Sequence, residues 1–212
     1  TGAKRIAPAI TGKEQRHVFD GDQLRGILLG NSPAAIAKLS ALQRLLINIG
    51  RLSQLLRNIR LMRFLSKLWM PIRREVFIIG GGLVGLELAE FLVERNRKVI
   101  VLEPGPSFGA ELSIVRRARV LHLLGEDGAE LHKSVGDLEI GAHMIRFSLD
   151  GEVQERKCTQ VIIAMGAEPD DSLLKELAGS SARIHQIGDC REVGYIDGAI
   201  LDARKLVQQM EL

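Results

Sequence analysis

Gly80, Gly82 and Gly85 stand in the spacing G-x-G-x-x-G inside "VFIIGGGLVGLELAE", and a carboxylate, Glu103, follows eighteen residues after the last of them. Alone, that spacing is weak, because glycine-rich turns are common. Its setting narrows it. The apolar run "EVFIIG" leads in, the helical pattern "LVGLELAEFLVER" leads out, and Glu103 closes the next apolar run, "KVIVLE". This is the strand, turn, helix and strand of a βαβ dinucleotide-binding unit. Gly80 permits the turn out of the strand, Gly82 lets the backbone approach a pyrophosphate, and Gly85 lets the helix pack close to the sheet. The turn and first helical residues, Gly80, Gly81, Gly82, Leu83, Val84 and Gly85, are the candidate phosphate contacts, acting through unpaired N–H groups and the helix dipole. Glu103 would accept hydrogen bonds from the adenosine ribose and repel a 2′-phosphate, and "EPGPSFG" offers no Arg or Lys to offset it. NAD(H) is therefore expected rather than NADP(H). The other reading is a glycine turn joining strand and helix in a different α/β fold.

Around this unit the periodicity predicts the rest. Further helices are expected over "ELSIVRRARVLHLLGEDG", residues 172–178 and "GAILDARKLVQQM"; strands over "AELHKSV", "HMIRFSL", "EVQERKCT", "QVIIAMGA" and "RIHQIGD". The fold class is α/β: a Rossmann-like three-layer domain with a central parallel sheet and an antiparallel meander. Ala164, Met165 and Gly166 fall at the carboxyl edge of that sheet, where ligands lie in open α/β folds. A simple strand-ending turn explains Gly166 equally well. Residues 34–69 place Leu45, Ile49, Leu52, Leu56 and Ile59 on one helical stripe, with Ser32 as N-cap ahead of Pro33, Gly50 as a dividing point and Pro71 as the stop.

Composition excludes several classes. Of the 212 residues 46% are hydrophobic and 26% charged, which is ordinary for a globular protein and not for a disordered one. No uncharged run is long enough to span a membrane and no secretory signal is evident, so a cytoplasmic protein is expected. Cys158 and Cys190 lie 32 residues apart, outside any C-x-x-C pair, and the five histidines are scattered, so neither a metal site nor a redox disulfide is expected. The net charge of +3 is unevenly spread: residues 31–74 hold nine basic and no acidic residues. Arg60, Arg63 and Lys67 share a helix face there, which suits an anionic surface; a helical hairpin that packs its leucines on the rest of the protein, with its arginines in water, is the plainer reading. A single Trp, a single Tyr and no reader motif argue against nucleic acid.

The segments "VFIIGGGLVGLELAEFL" with Glu103, "VIIAMGAEPDDSLL" and "IHQIGDCREVGYIDGAILDARKLV" together resemble the two-dinucleotide-domain flavoprotein reductases. The match is most similar to the C-terminal module of old yellow enzyme-like NADH:flavin oxidoreductases, the group that includes 2,4-dienoyl-CoA reductase and trimethylamine dehydrogenase. That resemblance implies a role for Glu87 at the nicotinamide carboxamide, and for Gly188 and Asp189 at a flavin nucleotide. A solvent-facing helix glutamate and a helix N-cap are the alternatives for Glu87 and Asp189.

It also implies an organisation: a flavin-domain remnant over 1–30, a basic helical insertion over 31–72, the NAD domain over 74–167 and a flavin-domain return segment over 168–212. With one glycine fingerprint the chain reads as a fragment whose partner is the remainder of a parent flavoprotein, with its flavin domain and a flavin-binding barrel. NAD(H) is expected on this chain and FAD only in the parent. No catalytic residue is expected here, and the chain alone should not turn over. The alternative is a non-catalytic adenine-nucleotide or assembly module whose basic helices dock a partner.

Overall fold

The computed structural model describes residues 2–5, 8–29, 32–52, 66–67 and 69–210. The chain clusters into two compact units, one of Ala9–Met165 and the other of Thr1–Pro8 with Gly166–Leu212.

The larger unit is built on five parallel strands. In chain order they are β2 (Val18–Asp20), β3 (Glu75–Ile79), β4 (Lys98–Glu103), β5 (Glu130–Lys133) and β9 (Val161–Ile163), arranged β2-β9-β3-β4-β5. The central strands read as near-continuous apolar runs because a parallel strand is covered on both faces. Val76, Phe77, Ile78 and Ile79 are all buried, as are Val99 to Leu102 and Val161 to Ile163.

Alternation divides these side chains between two layers. Val76, Ile78, Val99, Val101 and Ile162 form one core with Leu86, Ala89 and Leu92 of α4 (Leu83–Val93) and Val120 and Leu124 of α5 (Ile114–Glu126). Phe77, Ile79, Ile100 and Leu102 take the other parity, and the meander buries Ile140, Ile145 and Phe147. The meander is β6 (Gly136–Ile140), β7 (Met144–Leu149) and β8 (Glu152–Lys157), antiparallel throughout.

The helix ends follow local chemistry. Ser32 caps α2 (Pro33–Ala37) by accepting from Ala35 N–H, with Pro33 in the first turn as expected. Ser113 caps α5 by accepting from Arg116 N–H. Beyond α4, Asn96 takes φ +56°, and Arg97 N–H reaches back to the Leu92 carbonyl.

Three expectations are corrected. "RIHQIGD" forms no strand: residues 183–187 are irregular and Gly188–Cys190 is a single 3-10 turn, since no neighbouring strand pairs with them. Gly50 is not a dividing point, because α3 (Ala41–Leu52) runs through it; among the described residues of the basic segment the helices part at 38–40. Nor is the described part of the leucine stripe a core face: Leu45 and Ile49 are about half exposed, while Ile47 is buried with Phe19, Ile27, Ala35 and Leu39. Leu56, Ile59, Arg60 and Arg63 lie outside the described residues. The helix α1 (Gly21–Leu29) and strand β6 were not anticipated at all.

In the smaller unit, β1 (Ala3–Arg5) pairs antiparallel with β10 (Ala167–Pro169), followed by α6 (Ser172–Glu176) and α7 (Tyr195–Met210). Among the described residues no helix is long and apolar enough to cross a membrane.

At the sheet edge Glu130 joins three strands, with its carboxylate 2.7 Å from Arg156 of β8 and 3.2 Å from Lys98 of β4. The Arg156 guanidinium holds the Glu130 carboxyl below its ordinary value. A depressed carboxylate stabilises the fold above the unfolded pKa, about 4.3, and that contribution is lost as pH falls through the folded value. Glu130→Gln should cost about 1 kcal/mol or less at pH 7, given its partial exposure, and the difference from the parent should be smaller at about pH 4, below the unfolded value of about 4.3. Urea unfolding at both pH values checks this, and a difference that is no smaller at the lower pH would contradict it.

Candidate functional site

The glycine turn sits where the sheet changes winding direction. From β3 the chain proceeds outward through β4 to β5, and returns at β9 on the other side of β3. In open α/β sheets, ligands bind outside the carboxyl ends of the strands at such a point.

There the turns after β3 and β9 touch. Gly80 has φ +107°, and a Cβ on it would lie 2.8 Å from the Met165 Cβ and 3.0 Å from the Ala164 carbonyl oxygen. A Cβ on Gly85 would come within 1.8 Å of the Gly80 carbonyl oxygen, so only glycine lets α4 begin this close to the strand. Gly80 N–H donates to the Leu102 carbonyl and Ala164 N–H to the Ile79 carbonyl, which fixes both turns to the sheet.

Glu103 reaches the turn from the end of β4. Its Oε2 accepts from Gly81 N–H at 2.5 Å and its Oε1 from Gly105 N–H at 2.5 Å. One carboxylate therefore ties the glycine turn to the loop after the next strand. Each oxygen keeps a second lone pair, so the group can still accept from a ligand hydroxyl.

Gly82 is the N-cap of α4 and supplies no side-chain hydrogen bond to the first turn. The sequence Gly82, Leu83, Val84 thus presents backbone donors and the positive end of an 11-residue helix, as phosphate contact requires. Val84 and Glu87 are exposed on the first turns of α4. These features fit a dinucleotide: a turn whose own three glycines put no side chain toward the phosphates, and a carboxylate at the end of the second strand.

Two contacts were missed in the sequence. The Phe108 ring packs on Gly81, where a Cβ would be 2.4 Å from its Cδ1, and Gly109 N–H donates to the Gly81 carbonyl at 2.7 Å. The exposed Glu111 carboxylate lies over Gly82, with Oε1 2.8 Å from a Cβ there. Both come from the loop after β4, which only tertiary packing brings to the turn.

Gly166, Gly188 and Asp189 belong to the smaller unit. The Gly188 N–H donates to Asp202 Oδ2 at 3.0 Å, and Arg191 pairs with the same carboxylate at 2.9 Å. Asp189 Oδ1 accepts from Gly194 and Tyr195 N–H, at the start of α7. Asp202, buried and fourteen residues from Gly188, was not singled out in the sequence.

Cys158 is buried, and burial pushes its thiol up to about 11, which leaves it protonated at neutral pH. The Cys190 thiol donates to the Ile187 carbonyl. Among the described residues no group of three or more His, Cys, Asp or Glu could hold a metal ion.

Comparison with known proteins decides the family. The sequence model of the pyridine nucleotide-disulphide oxidoreductases matches residues 40–191. The chain belongs to that family. The family's cofactors are NAD(H) and FAD. An NADH oxidase of Thermoanaerobacter brockii is 27% identical over 139 residues, covering 64% of this chain and 21% of that protein. A nitric oxide reductase FlRd-NAD(+) reductase of Klebsiella pneumoniae is 32% identical over 142 residues, covering 58% of this chain and 37% of that one. The chain thus spans well under half the length of these pyridine nucleotide-disulphide oxidoreductase relatives. Among solved structures, a 2-naphthoyl-CoA reductase matches with a TM-score of 0.67 at 22% identity, over 97% of this chain and 25% of that one. It shares the fold.

Hydrogen bonds to a charged acceptor contribute about 1.5–3 kcal/mol. Glu103→Gln keeps the shape but has a single acceptor oxygen for two N–H groups. It should therefore lower the unfolding free energy by about 1.5–3 kcal/mol with an unchanged dependence on urea. A loss below about 0.5 kcal/mol would mean that the turn does not rest on this carboxylate.

Proposed function

We propose that this chain is the NAD(H)-binding module of a flavin-dependent NADH oxidoreductase of the old yellow enzyme-like group. The observation that carries the reading is the Glu103 carboxylate joined to the glycine turn through Gly81 N–H. A carboxylate so placed favours two free ribose hydroxyls and disfavours a 2′-phosphate.

In this reading the pyrophosphate lies on Gly80 to Gly85, at the N-terminus of α4, with Leu83 and Val84 supplying further N–H groups. The exposed Glu87 faces the nicotinamide end and accepts from the carboxamide. Ala164 and Met165 line the carboxyl edge through their backbone. Bound NADH supplies a hydride to a flavin, and the flavin is carried by sequence outside this chain. The chain's residues place the donor and hold no catalytic group.

The fragment reading draws support from α7, where Ile196 is 77% and Ile200 62% exposed, apolar surface that the remainder of a longer flavoprotein would cover. Asp189, whose Oδ1 accepts from Gly194 and Tyr195 N–H at the start of α7, serves here as a cap of that helix, the plainer of its two readings. Placement within the old yellow enzyme-like group rests on the segments "VIIAMGAEPDDSLL" and "IHQIGDCREVGYIDGAILDARKLV".

Fluorescence titration with NADH and NADPH tests the assignment. The parent chain should prefer NADH by about tenfold or more, a difference of about 1.4 kcal/mol, and Glu103→Ala should shrink that ratio to within about threefold. A carboxylate that only braced the turn would weaken both nucleotides alike. Equal affinities in the parent chain, or an unchanged ratio in the variant, would defeat the proposal.

A further inference from the structure

A cavity lies at the end of the same sheet opposite the glycine turn. It has a volume of about 600 Å³ and is walled by the residues that enter the parallel strands, His17 before β2, Arg73 before β3 and Gln160 before β9. That size is within the range of small-molecule sites.

Its charge is one-sided. Arg16, Lys38 and Arg73 line it together with His17 and His143, and no acidic residue does so among the described ones. None of Arg16, Lys38 and Arg73 forms an ion pair with a described carboxylate. Arg16 donates to the carbonyls of Lys38 and Leu39. Lys38 Nζ donates to the Val18 carbonyl at 2.7 Å and to Gln23 Oε1 at 2.9 Å. Lys38 Nζ also lies 5.3 Å from the centroid of the Phe19 ring. Arg16 is therefore positioned by neutral acceptors with donors to spare, and Lys38 by neutral acceptors and an aromatic face. Asp20 and Glu14 are the carboxylates whose field reaches Lys38, and burial still dominates, lowering its pKa.

His17 supplies the second observation. Its carbonyl accepts from Val161 N–H, which fixes the residue to β9, and its Nε2 is buried with no hydrogen-bond partner among the described residues. Such a group costs free energy unless something satisfies it. Burial, His143 and Lys38 all lower its pKa, so the ring is neutral at pH 7 and one of its nitrogens carries a proton to donate. Phe19, Leu39 and Pro71 give the cavity an apolar wall.

We infer that this cavity is a binding site for a small phosphate monoester bearing an apolar group. The phosphate dianion meets Arg16, Lys38 and Arg73 and accepts from the His17 ring, while the apolar part lies on Phe19 and Pro71. The site is at the amino edge of the sheet and is independent of the glycine turn at the carboxyl edge.

Phenyl phosphate is the probe, with phenol as the uncharged control, each titrated into the full chain by calorimetry and by NMR of the histidine rings. Phenyl phosphate should bind saturably at one site, phenol at least tenfold more weakly, and the His17 ring signals should move with the same saturation curve. Arg73 and His143 are exposed, so Arg73→Ala with His143→Ala should leave the thermal midpoint within a few degrees and weaken phenyl phosphate at least tenfold. No saturable binding by the parent chain, equal binding of phenol, unmoved His17 signals, or unchanged affinity in the double variant would each overturn the inference.

Discussion

The rest of the site depends on how closely α4 approaches the strand that feeds it. With a Cβ on Gly85 placed 1.8 Å from the Gly80 carbonyl oxygen, any side chain there would push the helix away from the sheet. Because the gap is closed, Leu86, Ala89 and Leu92 reach the core formed by β3 and β4, and the first turn of the helix points its N–H groups at the turn. The same backbone approach thus serves packing and, in the proposed reading, anion binding. Glu103 completes it from the neighbouring strand, converting a flexible glycine run into a turn tethered at Gly81 and Gly105.

That arrangement separates two tasks that a sequence motif merges. Gly80 and Gly85 are required by geometry alone, the first by φ +107° and the second by its distance to a carbonyl. Gly82 is required by neither: a side chain there would meet only the flexible Glu111 carboxylate, so its lack of a Cβ matters for what approaches from outside. Glu103 holds both tasks at once, as an internal acceptor with lone pairs left over. In the proposed reading, the fold of the turn could be kept while the nucleotide it admits is altered, through residues such as Glu111, whose carboxylate lies over Gly82.

Much of this was legible in the sequence because it is local. The β3-α4-β4 unit follows from two apolar runs and a change of period between them, and Ser32 followed by Pro33 marks a helix start that Ala35 N–H confirms. The parts that were not legible depend on contacts distant along the chain. Phe108 over Gly81 lies 27 residues away in sequence, and the buried Asp202 beneath Gly188 reads as one more polar residue on an amphipathic helix. The strand expected at "RIHQIGD" failed because alternation gives a segment the option to pair but no partner to pair with. The basic wall of the cavity at the amino edge was equally invisible, since Arg16, Lys38 and Arg73 are brought together only when β2, β9 and β3 align.

The central claim is that the glycine turn and Glu103 form one nucleotide-reading unit. Backbone amide NMR during an NADH titration tests it most directly, with Gly81 and Gly105 as reporters because their N–H groups bond the two carboxylate oxygens. Both amides should shift in proportion to bound NADH, together with those of Gly82, Leu83 and Val84. NADH binding that leaves these five amides in place and moves others instead would show that the turn and Glu103 do not read the nucleotide.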